Sequence, residues 1–314
     1  MKLSVITPKD KGVLKNHIDL SISIVHHKNK EFLEKCLDSI FKETKNVTLE
    51  IFVIDNCSND KIPELIKKKY PGITLIRNNK TEGFASNHNK ALKLANGRYL
   101  LILNNDTIIL DSAFDKMVQF MDTNLTIGAL GCKMYLTEKM DSASPPSSKY
   151  SFTPLREFWD SLVGHSGIQK IFHNSPLIYK PGCSTAGPKA VDTENEVAHI
   201  SGACMMVRKE VATQVGLMDE NYMMFLEETD WCYRIKKQGW KMYYYPKAYI
   251  IHYGSKSLGY FENTRKKLHE ESLAYFFKKH YGIGGFLLFK MLRIVLFPLM
   301  SIHKLYLKIT YPQK

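Results

Sequence analysis

Three signatures are missing from this chain of 314 residues, and each absence closes a class of function. There is no CxxC pair, so the six cysteines, Cys36, Cys57, Cys132, Cys183, Cys204 and Cys232, read as reduced core thiols rather than as a zinc site or a disulfide framework. There is no GxxxxGKS/T loop, and no GxGxxG opens a helix after the first strand, so P-loop NTPases and ordinary dinucleotide enzymes lose their main support. There is no uninterrupted apolar run of the roughly 20 residues that a spanning helix requires. The most apolar stretch, FLLFKMLRIVLFPLMSIHKLYLKITY from Phe286 to Tyr311, is broken by Lys290, Arg293 and Pro298. Nor does an N-terminal apolar stretch have the length of a signal peptide, and the expected compartment is the cytoplasm.

Acidic residues are in short supply. Asp and Glu number 31 against 44 Lys and Arg, a formal net charge of +13, and such an excess calls for an anionic partner: nucleic acid, a phosphorylated small molecule or anionic lipid. More than half of it lies in residues 256–314, where eleven Lys and Arg stand against three Glu, a net +8. Cations interleaved with Phe, Leu and Tyr fit an amphipathic helix lying on an anionic membrane surface, each cation contributing about 1 kcal/mol near the headgroups. A helix pair packed on the domain would carry the same pattern. No nucleic-acid recognition motif accompanies the charge, so no nucleic-acid partner is expected.

What is present is a folded α/β pattern, in a chain 44% hydrophobic and 24% charged. Short β-like runs alternate with helical segments, the order that produces a mostly parallel central sheet flanked by crossover helices. Leu20 to Val25 reads as a first strand and Lys30 to Phe41 as a helix with Phe32, Leu33, Cys36, Leu37 and Ile40 on one face. Leu49 to Ile54 is a second strand ending at Asp55, Pro63 to Tyr70 a helix, Ile73 to Arg77 a strand and Ser86 to Ala95 a helix. Leu100 to Leu103 then reads as a strand buried on both faces, stopping abruptly at Asn104, Asn105 and Asp106. Residues 137–195 are rich in Ser, Pro and Gly and read as an irregular cover on the acceptor side. Strand and helix return at HISGACMMVRKEVATQVG, before the acidic cluster FLEETDWCYR and the strand KMYYYPKAYIIHYG. The expected organisation is an N-terminal extension over 1–18, a catalytic domain over 19–257 and a helical, membrane-associating segment over 258–314.

In open α/β sheets ligands bind at the carboxyl ends of strands, where Asp106 falls. As a hard oxygen donor it suits Mg²⁺ or Mn²⁺, which bind one or two carboxylates together with substrate phosphates. A strand-ending turn uses the same residues, however, since Asn and Asp favour turns. His252, closing an apolar strand, is a candidate nitrogen ligand or a structural histidine. Glu227, Glu228 and Asp230 sit among Phe225, Leu226 and Trp231, and crowding of like charges with partial burial is one way to raise a carboxylate toward a general base. The alternatives are an acidic first helical turn and a simple Asp230–Arg234 pair one turn apart.

Taken in order, SISIVHHKN, IFVIDNCSND, NKTEGFASNHNKAL, GRYLLILNNDTII, SGACMMVRKE, VGLMDENYMMFLEETDWCYRIKKQGW and IIHYGSKS resemble the family 2 glycosyltransferases of GT-A fold, in particular the rhamnosyltransferase-like branch of bacterial surface polysaccharide synthesis. The resemblance runs from about Asp19 to Ser257. It implies that Ile24, Val25 and His26 border the nucleotide base, that Asp55 contacts base or ribose, and that Gly83, Phe84 and Asn89 line the nucleotide and sugar pocket. It further implies that Asn104, Asn105 and Asp106 form the metal motif, with Asp106 on a divalent cation that bridges the diphosphate and His252 as second ligand. Gly202 and Ala203 match the small-residue loop beside the donor sugar. Two positions depart from the family: His26, His27, Lys28 and Asn29 replace the common Thr-Tyr-Asn, and Glu228 stands where the catalytic Asp is usual, with Glu227 as second candidate. The implied reaction is an inverting transfer from a nucleoside-diphosphate sugar, dTDP-rhamnose or a UDP-sugar, to a hydroxyl of a glycan or polyprenyl-linked acceptor. The implied location is the inner face of the cytoplasmic membrane. A catalytically silent scaffold of the same fold is the alternative that the Glu228 departure leaves open.

Overall fold

The computed structural model describes residues 17–144, 192–254 and 264–310, the last with side chains only in part. Residues 1–16 of the expected N-terminal extension, most of the irregular cover, Cys183 and the proposed boundary near 257 therefore lie outside the described residues.

Among the described residues ten strands form one mixed sheet. Its main path runs β3 (Thr74–Arg77), β2 (Leu49–Asp55), β1 (Leu20–His26), β4 (Tyr99–Asn104), β9 (Cys204–Arg208), β6 (Ile127–Tyr135), β10 (Lys241–His252), β5 (Thr107–Ile109). The first four are parallel, β9 is antiparallel to both β4 and β6, β10 runs parallel to β6, and β5 is antiparallel to β10. Short strands β7 (Ala143–Ser144) and β8 (Asn195–Glu196) pair at the margins with β6 and β10. Pro246 falls in β10 where its register against β6 breaks between Tyr245 and Tyr249, as expected of a residue that cannot donate to the ladder.

Strand β4 shows why so apolar a run is needed. Leu101 and Leu103 enter one core with Leu33, Leu37 and Ile40 of helix α1 (Lys30–Glu43) and Phe114 and Met117 of α4 (Ala113–Thr123). Leu100 and Ile102 enter a second core with Ala85 and Ala91 of α3 (Phe84–Leu92), Val211 of α5 (Lys209–Val215) and Trp231 and Ile235 of α6 (Glu227–Lys237). The period of two thus sends alternate residues into opposite layers, both covered by helices. Helix α2 (Ile62–Lys69) covers the β3 side of the first core through Ile62, Leu65 and Ile66.

The C-terminal helix α7 (Arg265–Thr310) is two helices joined at Gly282, whose φ of 68° departs from helical geometry. Before it, Leu273, Phe276 and Phe277 pack with Tyr222 and Leu226 into a third apolar cluster. Beyond it, Ile283, Leu287, Leu288, Met291 and Ile294 are exposed. Phe289, also beyond it, is buried and stacks on Phe277, so the packing expected of a helix on the domain continues past the glycine. Among the described residues no helix is long and apolar enough to cross a membrane.

Candidate active site

Because β2 and β3 extend to one side of β1 and β4 to the other, the chain changes direction across β1, the place where open α/β sheets bind ligands. A cavity of about 240 Å³ opens at this edge, lined by Val25 of β1, by Asn104, Asn105 and Asp106, and by His252 at the end of β10. Asn104 is held by its N–H to the Ala203 carbonyl (3.0 Å), and the Tyr253 N–H donates to the Asp106 carbonyl (3.1 Å). Asp106 is 1% exposed, and neither carboxylate oxygen has a hydrogen-bond partner. His252 stands beside it, with Nε2 3.4 Å from Oδ1 and 3.2 Å from Asn104 Nδ2. A buried carboxylate without partners is costly unless a cation shares the site. The donor set of one hard oxygen and one imidazole fits a divalent metal. Among the described residues no cluster of three or more His, Cys, Asp or Glu forms a cage, so water and substrate phosphate would complete the shell, the ordinary mode for Mg²⁺.

The facing wall is built by a sharp turn. Phe225 and Leu226 both adopt left-handed backbone, φ 71° and 66°, a conformation that costs a non-glycine residue on the order of 1 kcal/mol or more. The turn swings the chain into α6 so that Glu227 and Glu228, in its first turn, both reach the cavity. Their environments differ. Glu227 is 3% exposed, with Oε2 unpartnered, and burial together with the Glu228 charge pushes its carboxyl well above the usual 4.5. Burial also opposes the Glu228 charge, but His199, at 3.8 Å, and the backbone amides of the first turn prevail, and its carboxyl is lowered. Two adjacent carboxyls pushed in opposite directions are the usual mark of divided acid and base roles.

The small-residue loop and the start of α3 close the site. Gly202 packs against Phe84 and Glu228: a Cβ there would lie 3.0 Å from the Phe84 ring and 3.8 Å from Glu228 Cβ. At Gly83 a Cβ would collide with the Met223 carbonyl, which instead accepts the Phe84 N–H at 3.3 Å. Gly202, Ala203 and Phe84 line the cavity.

Five expected contacts are not on the lining of this cavity: Ile24, buried in the first core, Gly83, packed against the Met223 carbonyl, and His26, Asn89 and Asp55. Strand alternation puts Val25 and His27 on its wall and turns His26 away. His26 is fully buried between Asp60 (Nε2 to Oδ2, 3.1 Å) and Asn105 (Nδ1 to Nδ2, 3.1 Å), and burial lowers its pKa. Helical periodicity does the same for Asn89, since Asn87 lies three residues from Phe84 on one face and Asn89 falls off it. Asn89 instead donates to the Met218 carbonyl (2.8 Å) and to Glu220 (2.9 Å). Asp55 is 2% exposed and accepts the Ser58 N–H at 2.9 Å, with Arg77 at 3.5 Å. Asp230, in turn, is structural: it pairs with Arg234 at 2.8 Å, as its spacing suggested, and also with Lys279 and His280 of α7.

Asn56, Asn87, His27, Glu82 and Ser201 line the cavity unforeseen, as do Met224 and Phe225. His27 and Asn87 could have been found by stepping two and three residues from Val25 and Phe84. Asn56 could not: its Oδ1 accepts the Glu82 N–H (2.9 Å) and Asn78 Nδ2 (2.9 Å) across two loops.

Comparison with known proteins gives the same outline. The model of Glycosyl transferase family 2 matches residues 21–216. The chain is 24% identical over 240 residues to the N-acetylglucosaminyl-diphospho-decaprenol L-rhamnosyltransferase of Mycobacterium tuberculosis (strain CDC 1551 / Oshkosh), covering 72% of this chain and 73% of that protein. It is 24% identical over 239 residues to rhamnosyltransferase WbbL of Escherichia coli (strain K12), covering 74% and 82%. Among solved structures, a mannosyltransferase from Pyrobaculum calidifontis in complex with GDP-Man and Mn²⁺ superposes with a TM-score of 0.56 at 15% identity, covering 96% of this chain and 77% of that one. That likeness establishes the GT-A fold.

Proposed function

The chain belongs to glycosyl transferase family 2, and from that premise we propose an inverting, metal-dependent transfer from a nucleoside-diphosphate sugar to a hydroxyl of a polyprenyl-linked glycan. The observation that carries the reading is the unpartnered, buried Asp106 carboxylate in the wall of the cavity that also holds an ionised Glu228. Glu228 takes the proton of the acceptor hydroxyl as its oxygen attacks the anomeric carbon. The bond from that carbon to the diphosphate oxygen breaks on the opposite face, and its electron pair leaves with the nucleoside diphosphate. Asp106 and His252 would hold a divalent cation, Mg²⁺ or Mn²⁺, which neutralises the charge gathered on the leaving diphosphate. Gly202 and Ala203 border the cavity on the side of the sugar, beside Phe84 and Glu228, and Val25, His27, Asn56 and Asn87 form the side on which the nucleoside lies. Glu227, buried and with its carboxyl pushed well above the usual range, shapes the wall. No protein nucleophile is required.

The resemblance to rhamnosyltransferases supports dTDP-rhamnose as the donor ahead of UDP-sugars, and the decaprenol-linked acceptor of the mycobacterial relative supports a lipid-linked acceptor. The apolar face beyond Gly282, with Lys290 among its residues, supports peripheral attachment to the anionic inner face of the cytoplasmic membrane. The test is thermal unfolding with dTDP, UDP and GDP, each with Mn²⁺ and with EDTA, followed by nucleotide release from the matching sugar nucleotide with a polyprenyl-diphosphate-linked acceptor. A ligand at a hundred times its Kd adds about 2.7 kcal/mol. A metal-dependent shift with one nucleotide, and turnover lost in Glu228→Gln, is the expected result. A folded protein that responds to none of them is the silent scaffold instead.

A further inference from the structure

A glutamate at the start of a helix has three side-chain torsions, and its carboxylate acts as a base only if it is both ionised and turned into the cavity. The stem of Glu228 lies beside Gly202, where an added Cβ would stand 3.8 Å from Glu228 Cβ. Its head meets the His199 imidazole, with Nε2 3.8 Å from Oε1 and side chains 22% exposed for Glu228 and 28% for His199. The segment that carries His199 is anchored. Val197, Ala198, Ile200 and Ala203 around it are buried, and the Val197 N–H is bonded to the Met242 carbonyl at 2.9 Å. The same short segment therefore supplies both the floor under Glu228 and the imidazole beside it.

We propose that His199 is the positioning residue for Glu228, keeping that carboxylate ionised and aimed over Gly202. The proposal rests on the reading of Glu228 as the base. The other titratable groups around Glu228 are Glu227 beside it on α6 and, elsewhere in the cavity wall, Glu82, His27, Asp106 and His252. Three of these are carboxyls, and removal of His199 leaves burial opposed only by the backbone amides of the first helical turn. The lowered Glu228 pKa agrees with this arrangement.

The test needs no substrate in its first arm. The side-chain carboxyl of Glu228 is titrated by ¹³C NMR in glutamate-labelled protein, the resonance being the one lost in Glu228→Gln. In His199→Ala the midpoint rises by at least half a pH unit, about threefold in proton affinity, with a smaller rise in His199→Gln, which keeps a polar group without charge. In a Glu228→Asp background, read in aspartate-labelled protein, the carboxylate is withdrawn by one methylene. There His199→Ala moves the midpoint of the shortened side chain much less, a non-additivity that a general loss of packing would not produce. An unchanged Glu228 midpoint in either folded His199 variant overturns the proposal. The second arm is the pH profile of nucleotide release, whose acidic limb shifts upward with the midpoint. If the midpoint moves but Glu228→Gln still turns over, the positioning stands and the base assignment falls. If Glu228→Gln is inactive and the midpoint does not move, the reverse holds.

Discussion

Asp230→Asn takes a buried charge away while leaving a side chain of the same shape. The Asp230 carboxylate is fully buried and receives Lys279 Nζ at 2.6 Å, His280 Nε2 at 2.7 Å and Arg234 Nε at 2.8 Å. Burial opposes its charge, but the hydrogen bond from His280, the charge of Arg234 and the contact with Lys279 hold the carboxyl at about 2, against an ordinary 3.8. At about 1.4 kcal/mol per pH unit, ionisation contributes about 2 kcal/mol to folding at neutral pH. Because the folded value is depressed, this contribution is complete above 3.8 and is lost as the pH falls toward 2. Asparagine also strands the cations that Asp230 balanced, which carries the total loss toward about 3 kcal/mol. For a chain of this size that corresponds to a Tm lowered by about 4 to 5 °C at pH 7. Thermal unfolding measures the shift, and limited proteolysis locates it, with new cleavage expected in residues 265–281, the half of α7 that Asp230 anchors. In combination with Lys279→Met the losses are less than additive. A variant within about 0.5 kcal/mol of the wild type, the scale of an ordinary surface substitution, or strictly additive losses, would refute the argument.

Asp106→Asn, measured in EDTA, is neutral or stabilising, because it replaces a buried carboxylate whose oxygens lack partners and whose burial costs on the order of 1–3 kcal/mol; a Tm several degrees lower would show that the carboxylate is structural. Glu227→Gln gains stability over the wild type as pH rises: the folded carboxyl is held well above 4.5, so its stabilising protonation is present below 4.5 and is lost as the pH climbs through the folded value. Urea unfolding at pH 5 and pH 8 reads the difference, and an equal or smaller gain at pH 8 contradicts the reasoning. Gly83→Ala forces a methyl against the Met223 carbonyl and costs about 1–3 kcal/mol in urea midpoint terms, whereas an unchanged midpoint would mean that the turn before α6 does not press on α3.

Much of the fold was legible because its signals are local. The alternation of short apolar runs with amphipathic helices located β1, α1, β2, α2, β3, α3 and β4 to within a few residues, since burial on two faces demands an unbroken run such as Leu100 to Leu103 and burial on one demands a stripe. The abrupt end of that run at Asn104, Asn105 and Asp106 marked the ligand edge for the same reason: the chemistry changes where the core stops. The spacing of Asp230 and Arg234 likewise foretold a pair that depends on helix geometry alone.

The tertiary structure decided everything that depends on which way a side chain faces or on what arrives from elsewhere in the chain. A strand's parity turned His26 inward and His27 to the cavity, and a helix's rotation exchanged Asn89 for Asn87. The pairing of Asp106 with His252 joins residues 146 positions apart through the antiparallel contact of β5 with β10. The opposite pKa shifts of Glu227 and Glu228, adjacent in sequence and alike in chemistry, arise because burial and the Glu228 charge raise the one while His199 and the backbone amides of the first turn lower the other. Residue types and periods settle what a segment can become; burial and neighbours, which exist only once the segments are packed, settle what its carboxylates and imidazoles can do.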